Sequence, residues 1–173
     1  NMRIGISQRV EKITSYEEIR DSLDQKLIEW VICTGGTPVS VPNNLVNIHT
    51  SKNNQNTLYN WLDSLNFGAI ILSGGGDIGE DFSRDLTENC LLLWAEKNKI
   101  PVLGICRGMQ MMGSYYGIEL LKVDGHVRTQ HLLSSEENNE KIFPEKVMSF
   151  HNLALEKCPN EFNIVARSED GCI

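Results

Sequence analysis

The sequence predicts a three-layer αβα fold built around a central, mostly parallel β-sheet. Continuous apolar runs at 68–72 and 100–106 alternate with segments of helical periodicity. Strands of a parallel sheet show such unbroken apolar runs because helices cover both faces of the sheet. The chain has 173 residues, 40% of them hydrophobic, which is enough for one sizeable core. We therefore expect one domain over 1–173.

The elements follow one another from the first residues. Residues 2–7 form a β-rich run, and Ser15 and Glu18 are spaced as a capping box that predicts a helix over 15–36. Strands are expected at 37–42, 68–76, 100–106, 117–123, 145–152 and 162–170, helices at 56–65 and 85–99, and a loop or hairpin tip at 131–144. The buried stripe of the helix at 85–99 is predicted to consist of Leu86, Cys90, Leu93 and Trp94.

Composition excludes several classes of function. Acidic residues outnumber basic ones 23 to 16, the net charge is −7, and no basic stripe could follow a phosphate backbone, so nucleic-acid binding is not expected. The five cysteines are scattered and include no C-x-x-C pair, which indicates neither a disulfide framework nor a zinc site. The same cysteine pattern fits a reducing cytoplasm. No apolar run reaches 18 residues, so we expect no membrane span.

The segment "PVLGICRGMQ" (101–110) places Cys106 where a strand runs into a helix. Ligands of open parallel sheets collect at the carboxyl ends of the strands, where helix N-termini present free N–H groups. Gly104 and Gly108 leave room for a sharp turn, which predicts a nucleophile elbow with Cys106 held out of the sheet. The helix dipole and the Arg107 side chain would favour the reactive thiolate. The alternative is a small buried apolar residue, as expected for Cys33 and Cys90.

The glycine run in "LSGGGDIGE" (72–80) ends the preceding strand and should lie beside Cys106. Attack on an acyl carbon places negative charge on an oxygen that needs two N–H donors. The backbone N–H groups of Gly75 and Arg107 are the candidates for this oxyanion hole. A phosphate-binding loop is not favoured, because no Lys-Ser or Lys-Thr follows and Asp77 and Glu80 would repel phosphate.

The runs "ILSGGGD", "PVLGICRGMQ" and "SFHN", in this order, resemble the class I glutamine amidotransferase superfamily, whose fold is flavodoxin-like. Within it the same runs resemble the γ-glutamyl hydrolase branch, peptidase family C26. The segments "GHVRTQH" (125–131) and "SEDG" (168–171) resemble the γ-glutamyl-γ-aminobutyrate hydrolase side. The resemblance covers the whole chain. It implies a hydrolase in which Cys106 attacks a γ-glutamyl amide and forms a glutamyl thioester, without a metal or organic cofactor.

The resemblance also implies the residues that hold the substrate. The glycine loop, the Gln of the Cys-x-x-x-Gln run and the backbone around Ser-Phe-His would hold the glutamyl end. The arginines Arg9, Arg107 and Arg128 could meet an anionic leaving group. In this chain the substrate-binding candidates are Gly74, Gly76, Gln110, Ser149, Phe150, His151, Arg9 and Arg128. For His151 a structural role is weighed equally with a functional one, and for Arg9 and Arg128 a solvated surface role is the default.

One family feature is not found within the sequence. The family places the His and Glu of its catalytic triad in a later His-Pro-Glu run, and none of His49, His126, His131 and His151 is followed by such a run. We therefore expect the catalytic His and Glu beyond Ile173, in a C-terminal segment that the sequence lacks. The expected partner is a small γ-glutamyl substrate, and a homodimer is left open. A glutaminase subunit that feeds a synthase, a γ-glutamyl-γ-aminobutyrate hydrolase and a non-catalytic thiol sensor remain as alternatives.

Overall fold

The computed structural model describes residues 1–48, 54–135 and 143–173, with side chains from Thr57 onward in the second range. These residues form two compact units, 1–112 and 113–173. The expectation of a single domain stays a prediction. Among the described residues, no helix is both long enough and apolar enough to cross a bilayer.

The first unit carries most of the regular structure. Its elements are β1 (Arg3–Ile6), β2 (Arg9–Ile13), β3 (Glu18–Ser22), α1 (Gln25–Cys33), β4 (Thr37–Ser40), a 3-10 turn (Asn43–Val46), α2 (Asn54–Leu65), β5 (Ala69–Leu72), α3 (Phe82–Asn98), β6 (Val102–Gly104) and α4 (Arg107–Tyr115), whose last residues belong to the second unit. Four strands form one parallel sheet in the order β4-β1-β5-β6. The predicted parallel sheet flanked by helices is therefore confirmed.

The predicted helix over 15–36 is wrong in its first part. Residues 9–22 form an antiparallel hairpin of β2 and β3, and α1 starts only after Asp24, whose side chain accepts a hydrogen bond from the Lys26 N–H. Ser15 and Glu18 have capping-box spacing, but Glu17 takes a positive φ of 51°, which turns the chain back on itself. Cross-strand pairing between β2 and β3 outweighs the capping signal.

The helix α3 is more buried than predicted, and with a different stripe. Cys90 and Trp94 are buried as expected, whereas Leu93 is 49% exposed and Leu91 is fully buried in its place. The predicted burial of Cys33 is also wrong, because this residue is exposed. Glu88 is fully buried within α3, which the predicted stripe did not include.

The second unit is built from short antiparallel pairings. Its strands are β7 (Leu120–Lys122), β8 (Val127–Ser135), β9 (Lys146–Phe150), β10 (Leu153–Leu155) and β11 (Ala166–Ser168). β10 pairs with β7, and β8 lies between β11 and β9. Residues 131–135, predicted to be loop, instead continue β8, and 136–142 lie outside the described residues. The strand predicted at 162–170 is limited to three residues, Ala166–Ser168.

Candidate active site

Cys106 lies at the turn between β6 and α4, and this residue is exposed to solvent. Its φ angle is 53°, in the left-handed region that residues with a Cβ seldom adopt. Such strain costs on the order of 1–3 kcal/mol and persists where the surrounding structure enforces it. A strained, exposed residue at a strand-to-helix turn is the geometry of a nucleophile elbow.

Two glycines make this turn sterically feasible. A Cβ on Gly104 would lie 2.7 Å from the backbone carbon of Gly108, and a Cβ on Gly108 would collide with the carbonyl oxygen of Leu72. The elbow helix therefore packs directly against the end of β5. The sequence spacing Gly-x-Cys-x-Gly thus corresponds to backbone contacts that no side chain could accommodate.

The glycine loop after β5 lies beside the elbow, as its position in the sequence predicts. A Cβ on Gly74 would lie 3.4 Å from the Cβ of Cys106 and 3.3 Å from the carbonyl oxygen of Ile105. Gly75 and Gly76 have φ angles of 84° and 73°, which strongly favour glycine at both positions. The strand pairing of Leu72 with Gly104 brings the two turns to the same edge of the sheet.

Hydrogen bonds orient the peptide that joins Gly74 to Gly75. The carbonyl oxygen of Gly74 accepts hydrogen bonds from Nε of Arg9 at 2.9 Å and from Nη2 of Arg84 at 3.3 Å. The peptide is trans, so the Gly75 N–H points away from this carbonyl. Holding the carbonyl therefore fixes the direction of one predicted oxyanion donor. The second, the N–H of Arg107, belongs to the first turn of α4, where N–H groups have no intrahelical acceptor.

The side chain of Arg107 does not lie where the sequence analysis placed it. It is 2% exposed, and its guanidinium donates to the carboxylates of Asp85 and Glu88. Its positive charge is neutralised inside the protein, so it is directed at these carboxylates rather than at an anionic leaving group. The role of its backbone N–H as an oxyanion donor stays a prediction.

Glu88 is the centre of a buried polar network under the elbow. One carboxylate oxygen accepts from the Ser7 hydroxyl at 2.7 Å and from Nε of Arg84 at 3.2 Å, and the other accepts from Arg107. Arg84 and Glu88 are 4% and 0% exposed. Because both charges are buried, each depends on the other for compensation.

The same network reaches the glycine loop through Arg84. This side chain donates to the carbonyl oxygens of Gly75 at 2.5 Å and of Ser73 at 2.9 Å. The Ser7 hydroxyl also accepts from the Ser73 N–H at 2.9 Å. Burial lowers the pKa of Arg84, and the nearby charge of Arg107 lowers it further while Glu88 opposes both. The loop and the elbow are thus fixed by one set of charged side chains.

The network was missed by sequence reasoning, although a signal for it exists. Arg84 and Glu88 are four residues apart on α3, so that both face one side of the helix. That side also carries Leu91 and Ala95, which are fully buried. A charged pair on an apolar helix face indicates a buried ion pair rather than a solvated one.

Arg9 borders a cleft of about 340 Å³ next to the glycine loop. A Cβ on Gly75 would lie 2.4 Å from Cζ of Arg9, so the guanidinium covers this glycine directly. The cleft is lined by Arg9, Val10, Glu11, Lys12, Gly75, Gly76, Asp77, Glu80, Asp81, Arg84 and Arg107. The strand β2 thus supplies one wall of this cleft.

The other predicted substrate residues divide between the two units. Gln110 lies on α4, where it is buried and its N–H donates to the carbonyl oxygen of Cys106 at 3.1 Å. Ser149, Phe150, His151 and Arg128 belong to the second unit. Phe150 is 65% exposed at the end of β9, and Arg128 has a φ of 55° at an irregularity in β8. Their roles toward a substrate stay predictions.

Three histidines lie together in the second unit. The rings of His126 and His131 stack with centroids 4.1 Å apart, and His151 lies 4.8 Å from His126. Burial lowers the pKa of His151. Hydrogen bonds from Ser168 and His126 hold the pKa of Asp170 well below its usual range. His49 lies outside the described residues.

The chain that places a cysteine beside a glycine loop on a parallel sheet also matches a known protein family in sequence. Residues 19–173 match the model of glutamine amidotransferase class-I. The chain belongs to this family, and the resemblance inferred from its motifs is confirmed.

Particular relatives narrow the comparison. The chain is 30% identical to the gamma-glutamyl-CDP-amidate hydrolase of Campylobacter jejuni over 181 residues, which cover 99% of this chain and 81% of the relative. It is 32% identical to a glutamine-hydrolysing GMP synthase subunit of Methanocaldococcus jannaschii over 104 residues, 58% of this chain and 52% of the relative. The crystal structure of a glutamine amidotransferase from Thermotoga maritima matches 99% of this chain and 69% of its own, with a TM-score of 0.68 and 18% identity. That structural likeness supports the flavodoxin-like fold.

Proposed function

We propose that the chain hydrolyses a γ-glutamyl amide, with Cys106 as the nucleophile. The observation that carries this proposal is the strained, exposed Cys106 directly beside Gly74. The proposed substrate is γ-glutamyl-CDP-amidate, and the products are CDP-amidate and glutamate. In support, a relative named for this hydrolysis aligns with 99% of the chain. We place the reaction in a reducing, cytoplasmic compartment that keeps the thiol free, and in the modification of a capsular polysaccharide.

The first half of the reaction forms an acyl-enzyme. The Cys106 thiolate attacks the γ-carbonyl carbon, a carbon–sulfur bond forms, and the carbonyl oxygen becomes an oxyanion. The N–H groups of Gly75 and Arg107 then stabilise this charge, because their directions are fixed before the reaction starts. When the oxyanion collapses, the carbon–nitrogen bond breaks, and the departing nitrogen takes up one proton.

The second half releases glutamate. Water attacks the thioester carbon, the carbon–sulfur bond breaks, and the thiol is regenerated together with the γ-carboxylate of glutamate. Both halves need a group that donates and accepts a proton. The family resemblance assigns this task to a histidine paired with a glutamate.

The proposed substrate predicts a preference that kinetics can measure. We expect kcat/KM for γ-glutamyl-CDP-amidate to exceed that for glutamine by at least about 100-fold. Groups beyond the scissile bond add binding energy that glutamine cannot provide. Steady-state release of glutamate from both substrates, measured with the same enzyme preparation, gives the ratio.

The second candidate function is a glutaminase subunit that delivers ammonia to a synthase. The likeness to the GMP synthase subunit favours it. An equal or higher kcat/KM for glutamine, rising when a synthase partner is added, would support this candidate instead. No glutamate release from any γ-glutamyl amide would leave the non-catalytic thiol sensor.

Arg9 provides a further prediction, because its observed contact differs from the role expected from sequence. We expect Arg9→Gln to lower kcat about tenfold or more, since Arg9 holds the Gly74 carbonyl and thereby directs the Gly75 N–H. If Arg9 acts on this peptide, kcat falls by a similar factor for glutamine and for γ-glutamyl-CDP-amidate. If it binds the leaving group instead, only the nucleotide substrate is affected, mainly through KM.

Arg20 offers the matched control for this experiment. It lies in the same hairpin, is exposed, and its guanidinium donates to the exposed carboxylate of Glu18. Arg20→Gln should leave kcat and KM for both substrates unchanged. A loss in Arg20→Gln as large as in Arg9→Gln would assign the effect to the hairpin rather than to the Gly74 peptide.

A further inference from the structure

A group of metal-ligating side chains lies in the second unit. His126, His151 and Cys172 each offer one ligand atom, and the three atoms lie within 4.8 Å of one another. We call these three residues the His-His-Cys cluster. His126 directly precedes β8, His151 directly follows β9 and Cys172 lies in the turn after β11. These residues are far apart in the sequence and come together only in the folded chain.

Backbone hydrogen bonds hold the cluster in place. The His151 N–H donates to the carbonyl oxygen of His126 at 2.9 Å, and the Ser168 N–H donates to that of Cys172 at 2.9 Å. The Cys172 N–H also donates to Oδ1 of Asp170 at 3.3 Å. Hydrogen bonds within the chain therefore hold the turn that carries Cys172.

The hydrogen bonds of the two imidazoles leave one nitrogen of each for a ligand. Nε2 of His126 lies 2.6 Å from Oδ2 of Asp170 and therefore carries the proton, because a carboxylate only accepts. Nδ1 of His151 lies 3.0 Å from the carbonyl oxygen of Leu153 and is the donor for the same reason. The lone pairs are thus on Nδ1 of His126 and Nε2 of His151.

Nδ1 of His126 is the strongest indication of a missing ligand. His126 is 1% exposed, and this atom has no hydrogen-bond partner within the described part of the chain. Leaving a buried acceptor unpaired costs about 1–3 kcal/mol. The ring of His131 stacks on the ring of His126 and thereby fixes its plane. His131 donates no hydrogen bond to Nδ1 of His126.

We propose that His126, His151 and Cys172 bind one zinc ion, with Asp170 orienting His126. Two imidazoles and one thiolate suit zinc, whereas magnesium and calcium require oxygen ligands. Donor atoms around tetrahedral zinc are roughly 3.4–3.6 Å apart. The ligand atoms of the cluster lie within 4.8 Å of one another, so their separations would have to shorten by about 1 Å when zinc binds. Three protein ligands leave the fourth position to water.

The Asp170–His126 contact has a recognised function in such sites. A carboxylate that accepts from the far nitrogen of a ligating histidine fixes its tautomer and makes the other nitrogen a better ligand. The role expected for the Ser149–His151 run toward a glutamyl group concerns its backbone. The zinc proposal concerns the His151 side chain, so the two are compatible.

The test uses the protein after dialysis against a chelator, titrated with zinc in a calorimeter and with cobalt in a spectrophotometer. We expect one metal ion per chain, and for cobalt a thiolate-to-metal charge-transfer band. Cys172→Ser should abolish that band and weaken zinc binding at least about tenfold. Asp170→Asn should weaken it by about 10- to 100-fold, as is usual for partners of metal-bound histidines.

Cys158→Ser is the matched control, because Cys158 is a free cysteine of the same unit outside the cluster. It should leave both the cobalt band and the zinc affinity unchanged. His151→Gln, at a half-buried position, gives a second test of the cluster if Cys172→Ser fails to fold by circular dichroism.

Two results would overturn the zinc site. One is the absence of binding at micromolar zinc. The other is binding that Cys172→Ser and His151→Gln leave unchanged. Neither readout depends on hydrolysis, so failure here and failure of the proposed reaction can be told apart.

Discussion

Replacement of Cys106 by alanine is expected to abolish hydrolysis of γ-glutamyl amides, with a loss in kcat of at least about 10⁴-fold. The loss is this large because no thioester can form, and what remains comes only from substrate binding and the oxyanion donors. Glutamate release and trapping of the acyl-enzyme by mass spectrometry measure the two stages separately.

Cys33→Ala is the control, because it removes another exposed thiol. Cys33 is exposed, as Cys106 is, but it ends α1 and does not lie at the elbow. Its replacement should change kcat and KM by less than about twofold. Near-normal turnover by Cys106→Ala would mean that the elbow argument is wrong.

The left-handed backbone at Cys106 adds a stability test of the same turn. At an ordinary helical position, replacing alanine by glycine lowers the free energy of unfolding by about 1 kcal/mol. At a φ of 53° alanine carries strain that glycine avoids, so Cys106→Gly should unfold at the same urea concentration as Cys106→Ala or at a higher one. A lower midpoint for glycine would show that the elbow is not strained.

The sequence predicted the elbow because its determinants are local. Gly104 and Gly108 flank Cys106 at fixed spacing, and the glycine loop follows the strand that pairs with β6, so sheet geometry alone places the two turns together. The hairpin at 9–22 was misread because Ser15 and Glu18 match a helix-start pattern. What decides that segment is pairing between β2 and β3, which no single-helix pattern contains.

The buried charges and the His-His-Cys cluster were not predictable by the same means. Glu88 accepts a hydrogen bond from Ser7, which is 81 residues away in the sequence. Cys172 lies near His126 although the strands from β8 to β11 lie between them in the chain. Only the folded chain brings these groups together. The scattered cysteines indicated no zinc site because such sites are recognised in sequence by closely spaced ligands. Spatial clusters assembled from separate strands do not show this spacing.

The largest effect on stability is expected at Glu88. Glu88→Gln removes the carboxylate that compensates the buried guanidinium of Arg84 and leaves that of Arg107 paired with Asp85 alone. Removing one partner of a buried ion pair costs about 3–5 kcal/mol, because the charge that remains cannot return to water. Urea denaturation, with the slope of the transition compared between variants, measures the free energy of unfolding.

Glu29→Gln is the matched control, since Glu29 is an exposed residue of α1. A surface change of this kind should alter the free energy of unfolding by less than about 0.5 kcal/mol. A loss below about 1 kcal/mol in Glu88→Gln would mean that water or other groups compensate the two arginines.

The network also connects this loss of stability to the reaction. Arg84 holds the carbonyl oxygens of Ser73 and Gly75, and the backbone N–H of Arg107 is the proposed second oxyanion donor. When Glu88 no longer fixes these two side chains, both donors lose their preset directions. We therefore expect Glu88→Gln to lower kcat more than it raises KM, even at temperatures where circular dichroism shows the variant fully folded. A folded variant with unchanged kcat would show that the glycine loop keeps its geometry without the buried carboxylate.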